Sequence, residues 1–154
     1  MYYHIKNLRT NQYIVLGKMT LEGGYYNVDL KSLINKENAS TKWEIHQSIA
    51  FQDTEVHTIS AAVNGSVLID NFGPTKKDNN LSIKIVNATY LLYEEKNKLN
   101  LYFSSTQQNN IYRMYSVDKA FALSAYNIND SDERLCMVSG LSELPDAWLL
   151  EEAA

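Results

Sequence analysis

The sequence is poor in the residues that dictate structure on their own. One cysteine, Cys136, stands among 154 residues, which excludes an intramolecular disulfide and with it any cysteine-stapled scaffold. The two prolines, Pro74 and Pro145, lie between apolar stretches, and with only six glycines no linker divides the chain. Apolar clusters such as Tyr90 to Tyr93 and Leu99 to Phe103 are far short of the roughly 20 residues that a helical bilayer span needs, so no membrane span is expected. The start, Met1 to Lys6, has neither a basic segment leading an apolar one nor a small-residue cleavage pattern. A cytoplasmic protein is expected on that ground, in which the acceptor triplets at Asn38, Asn64, Asn87 and Asn129 go unglycosylated. Basic blocks are missing as well. Fourteen basic residues against eighteen acidic ones give a net charge of −4, a poor grip on a phosphate backbone, so no nucleic acid partner is expected.

What the chain does have is apolar material, 45% against 21% charged, enough for one folded core of ordinary size. It also has an internal pattern. An aromatic or histidine residue, a spacer and an aliphatic residue occur at Tyr3–Ile5, return 54 residues on at His57–Ile59, and return 55 further on at Tyr112–Met114. Shortly after each comes an apolar run: Tyr13 to Leu16, Val67 to Ile69, Phe121 to Leu123. The intervening turns hold Asn7 to Asn11, the hairpin-favouring pair Asn64 and Gly65, and Asp118.

Period-two alternation then predicts a third strand in each unit, at Tyr26, Val28 and Leu30, at Leu81, Ile83 and Ile85, and at Leu135 and Met137. A fourth strand is expected to open on an aromatic residue at Trp43, Tyr90 and Trp148. From Trp43 to His57 is 14 residues and from Tyr90 to Tyr112 is 22, so eight extra residues are assigned to a long hairpin with Lys96, Asn97 and Lys98 at its tip. Lys31 to Ser40 and Val117 to Tyr126 contain good helix formers but no sustained helical period, and read as a single turn and a strand.

Three units of four strands, none able to bury its apolar side alone, resemble the β-trefoil, in which a pseudo-threefold axis relates three such units in a six-stranded barrel with a hairpin cap. The fold expected is therefore all-β, a single β-trefoil domain over residues 1–154 with units of approximately 1–50, 51–107 and 108–154. Within that fold, Tyr3, Ile5, Tyr13 and Leu16 with the single cysteine look similar to small fungal ricin-B-like lectins and trefoil protease inhibitors. Those families imply binding without catalysis, and no cofactor.

Ricin-type sugar sites use an aspartate just after the second strand of a unit, an aromatic platform and an amide shortly before the fourth strand. The resemblance carries over to the second unit alone, where Asp70, Asn71, Phe72 and Asn87 form the expected carbohydrate-binding set. In the first unit Leu16 and Gly17 replace the aspartate, and in the third Leu123 and Ser124 do so, although Asp146 precedes Trp148. A carboxylate accepts sugar hydroxyls, an amide both donates and accepts, and a ring face packs on sugar C–H groups. The same residues also serve as ordinary strand-end turns.

The inhibitor families imply an exposed loop entering a protease cleft. One class presents an asparagine between the fifth and sixth strands, a junction that holds Asn64 and Gly65 here, where Asn-Gly is also what a tight hairpin prefers. Arg9, Lys18 and Lys119 are the basic loop residues that would suit a trypsin-like pocket. The expected partner is thus a glycan or glycoprotein, with a protease or a larger protein as alternatives.

Enzymatic and metal chemistry has little to stand on. His4, His46 and His57 lack zinc-site spacing, Cys136 alternates with apolar neighbours in a strand, and no phosphate loop, dinucleotide fingerprint or nucleophile elbow occurs. Of the eleven tyrosines, Tyr3, Tyr13, Tyr90 and Tyr112 are expected in the barrel. Tyr25, Tyr102, Tyr115 and Tyr126 are the freer ones, with the segment around Tyr102 and Phe103 the first place for a partner contact.

Overall fold

A computed structural model describes residues 1–20, 23–49, 54–70, 76–78, 80–90, 98–127 and 133–154. Within them lie thirteen strands: β1 Tyr2–Asn7, β2 Gln12–Met19, β3 Tyr25–Lys31, β4 Trp43–Ile49, β5 Glu55–Ala61, β6 Val67–Asp70, β7 Lys76–Asp78, β8 Leu81–Thr89, β9 Leu101–Ser105, β10 Ile111–Ser116, β11 Ala122–Asn127, β12 Glu133–Ser139 and β13 Trp148–Ala153. A single 3-10 turn, Ala39–Thr41, precedes β4 and is capped by the Asn38 side chain, which accepts from the Ser40 N–H.

Six strands close a ring by antiparallel pairing in the order β1, β4, β5, β9, β10, β13 and back to β1. Three hairpins, β2/β3, β6/β8 and β11/β12, cover one end, and β8 pairs with both β3 and β12. This is a β-trefoil. Its threefold relation is visible in register: Tyr3 faces Trp43, His57 faces Leu101 and Tyr112 faces Trp148. Closure removes the ring's free edges, and the alternate residues that point inward, Ile5, Ile59 and Met114 among them, merge with cap residues Ile14, Leu68 and Leu123 in one core, where all six are fully buried.

That register corrects the expected fourth strand of the second unit. Tyr90 follows the end of β8 and is 49% exposed, Leu91 and Leu92 lie outside the described residues, and the ring position of Trp43 and Trp148 belongs to Leu101. The extra length therefore falls before the fourth strand, between β6 and β8, where ten residues including β7 stand against five between β2 and β3, while the β8–β9 connection has the same eleven residues as the β3–β4 one. Lys98 bridges to Ile69, while Lys96 and Asn97 lie outside the described residues.

The hydrogen bonds show why an aliphatic residue suffices there. The Trp43 and Trp148 indoles donate to the Ile14 and Leu123 carbonyls at 2.9 and 3.0 Å, whereas the corresponding Leu68 carbonyl accepts from the Leu99 backbone N–H at 3.0 Å. A buried carbonyl needs one donor, and the main chain supplies it where the side chain has none.

The alternation read in β8 also belongs to a different face from the one expected. Leu81, Ile83 and Ile85 form a separate small cluster with Cys136, Val138 and Tyr126, and it is Val86 and Ala88 that enter the central core. The apolar set changes face midway along the nine residues, from Leu81, Ile83 and Ile85 to Val86 and Ala88, so alternation by itself does not choose the inward set. Among the freer tyrosines, Tyr25 is buried at 6% exposure because it begins β3 against Thr89 of β8, and Tyr102, Tyr115 and Tyr126 are half-buried in strands.

Candidate functional site

Asp70 is the last residue of β6 and stands opposite Val86, so its side chain shares the inward face of the cap with Val86 and Leu68. Lys84, on the same face of β8, brings Nζ to 4.0 Å from Oδ2 and also lies 4.6 Å from the centre of the Phe121 ring. Burial pushes the Asp70 carboxyl above its ordinary range, with Lys84 acting against the shift. Asn87 stands opposite Ile69, on the other face, and its amide donates to the Tyr26 carbonyl at 3.2 Å. Strand alternation thus turns Asp70 and Asn87 apart, and Asn71 and Phe72 lie outside the described residues.

Asn64 and Gly65 are exposed within the five-residue connection from β5 to β6, which ends on the buried Ser66 and is longer than the two-residue hairpin that Asn-Gly favours. Gly65 has φ of +74°, a conformation that glycine adopts without a Cβ penalty. Its N–H donates to the Ala61 carbonyl at 2.8 Å, and the Asn64 Oδ1 accepts from the Ser66 N–H at 3.0 Å. Of the three basic residues expected in loops, Lys18 is exposed but belongs to β2, Lys119 places its Nζ 4.6 Å from the Tyr102 ring centre, and Arg9 is committed elsewhere.

Arg9 contributes to a groove of about 460 Å3 between the β11/β12 hairpin and residues 141–146, lined also by Tyr126, Asn127, Glu133, Leu144 and Asp146. Asp146 organises one wall. Its Oδ1 accepts from Arg9 Nε at 2.8 Å, and its Oδ2 accepts from Asn7 Nδ2 at 2.9 Å and from the Ala125 N–H at 3.0 Å. Burial by itself raises this carboxyl, but the bonds from Arg9, Ala125 and Asn7 outweigh it and hold the group below its usual range. The same hydrogen bond to Asp146 raises the Arg9 guanidinium.

The other wall is chemically incomplete. Asn127 and Glu133 face each other across the last pair of the hairpin, and the buried atoms Asn127 Oδ1 and Glu133 Oε2 have no hydrogen-bond donor among the described residues. Buried acceptors without donors are costly, and a hydroxyl, an N–H group or an ordered water can answer them. The sequence reading placed Asp146 beside Trp148 but missed Asn127 and Glu133. The only signal for them is their position on either side of residues 128–132, polar from Asn129 onward, where register alone reveals the pairing.

No protein-family model matches the sequence, and no curated protein matches it. Solved structures do. The designed threefold-symmetric protein ThreeFoil superposes with a TM-score of 0.65 at 16% identity, over 98% of each chain. A ricin B-like lectin from Macrolepiota procera, solved in complex with lactose, gives 0.63 at 12% identity over 99% of this chain and 95% of that one. The double-headed arrowhead protease inhibitor A, solved in complex with two trypsins, gives 0.62 at 11% identity over 99% of this chain and 89% of that one. At such identities the likeness is one of fold, and the class it defines is the β-trefoil, a fold shared by sugar-binding and protease-binding proteins.

Proposed function

We propose that this chain is a non-catalytic carbohydrate-binding β-trefoil module that takes glycan hydroxyls in the groove of the third unit. The observation that carries this reading is the pair of donorless acceptors, Asn127 Oδ1 and Glu133 Oε2, in a groove whose other wall is already saturated by Arg9 and Asp146. A sugar hydroxyl satisfies a buried acceptor without bringing a charge that must be desolvated. The Macrolepiota procera lectin of the same fold binds lactose, which makes this chemistry one that the scaffold accommodates. The site so proposed differs from the Asp70 and Asn87 set, whose members face opposite ways.

A glycan array tests the reading. Saturable binding is expected, weakened about tenfold or more by Glu133→Gln, as loss of a hydrogen bond to a charged acceptor implies, and retained in Asp70→Ala. A silent array, or binding indifferent to Glu133→Gln, overturns it.

A second reading, protease inhibition, draws on the Asn64–Gly65 loop, which is exposed yet braced by its own hydrogen bonds. Inhibition of an asparagine-specific protease that is lost in Asn64→Ala would favour it.

A further inference from the structure

The end of the six-stranded ring away from the hairpin cap is open, and a cavity of about 410 Å3 occupies it, lined from all six ring strands. Four of the nine described residues lining it carry rings, Tyr3, His57, Phe103 and Tyr112, beside the polar Gln47, Glu55 and Ser105. The His57 imidazole stacks on Phe103 with centroids 4.2 Å apart and planes at 23°, Phe103 lies 5.4 Å from Tyr112, and Tyr3 faces the row from β1.

The charges at this mouth have one sign. Glu55 lines it with a side chain 57% exposed and its Oε1 3.5 Å from His57 Nε2, and the exposed Glu152, directly across the ladder from Tyr3, lies on the same face as that ring without lining the cavity itself. No lysine or arginine is among the described residues that line the cavity. Burial lowers the His57 pKa against the opposing pull of Glu55 and the Leu101 backbone, so the imidazole is uncharged at neutral pH. Ring faces and carboxylates without a resident cation form an environment that attracts a positive, weakly hydrated group.

We infer that the barrel mouth binds a small organic cation with a methylated ammonium head, held over the rings of Tyr3, Phe103 and Tyr112 and steered by Glu55 and Glu152. An anion is opposed by both carboxylates. A neutral molecule of equal size gains the apolar contact but not the attraction of the ring quadrupoles. This site is separate from the proposed glycan groove and stands or falls without it.

The test is an amide NMR titration with tetramethylammonium chloride and, in parallel, with tert-butanol as a neutral group of similar size, at constant ionic strength. Saturable shifts are expected on the mouth-side residues of β1, β5, β9 and β10, with tert-butanol binding at least about fivefold more weakly. Glu55→Lys is expected to abolish saturation and Glu55→Gln to weaken binding at unchanged melting temperature, since the Glu55 side chain is exposed. The groove variant Glu133→Gln is expected to leave the titration unaltered. Equal response to tert-butanol, shifts scattered over the surface without saturation, or indifference to both Glu55 variants would overturn the assignment.

Discussion

Asp146 illustrates how much a single side chain holds together. It joins the turn after β1, through Asn7 and Arg9, to the Ala125 backbone in β11, residues more than a hundred positions apart in sequence. The Arg9 side chain is 54% exposed while that of Asp146 is 9% exposed, so water screens the ion pair and the larger share comes from the Ala125 N–H and the Asn7 amide. Asp146→Ala strands those donors and is expected to cost about 2–3 kcal/mol in urea denaturation at pH 7. Because the folded pKa is depressed, the carboxylate's contribution is complete above the unfolded value of about 3.9 and is lost as pH falls through the lower folded value. The gap between the wild type and the variant is therefore expected to narrow in denaturation curves below about pH 4.

At the scale of elements, the three ring positions Trp43, Leu101 and Trp148 solve one packing problem in two ways. Trp43→Leu empties volume in the core and leaves the Ile14 carbonyl without its indole donor, so a loss of about 3–5 kcal/mol is expected by chemical denaturation. Leu101 bears no such bond, and Leu101→Val is expected to cost only about 1 kcal/mol in the same measurement. The contrast bears on what could be read from residues alone. Two of the three positions carry a tryptophan and were legible, while Leu101 is an ordinary aliphatic residue whose role depends on the Leu99 N–H, a main-chain contribution that no side-chain pattern displays. The strands at Tyr3, Tyr13 and Trp43 followed from the threefold repeat of aromatic and aliphatic residues, and that at Val28 from alternation. The inward face of β8 did not, because its apolar residues switch faces between Ile85 and Val86. The candidate groove was legible only at Asp146, since Asn127 and Glu133 become partners through hairpin register, and Asp70 resembled a ligand residue until its face was known.

For the whole molecule, the threefold relation makes the ring indifferent to where the chain is cut, provided all six strands remain. Tyr2 pairs with Ala153, so a short linker can join the ends. A circular permutant opened within the exposed 107–110 turn, between β9 and β10, is expected to keep the strand content seen by circular dichroism and to lose no more than about 2 kcal/mol in denaturant. A larger loss would mean that the connection between those strands matters beyond linking them.

The pairing of β1 with β13 has a temporal side as well. Of the six ring strands, the first to leave the ribosome must wait for the last before its second neighbour exists. Until then one flank of β1 offers unsatisfied main-chain groups to any passing polypeptide, and closing so large a span carries an entropic delay. The nascent protein is therefore vulnerable to aggregation along that flank for as long as β13 is missing, and the speed with which β13 docks governs how much of it survives as soluble product.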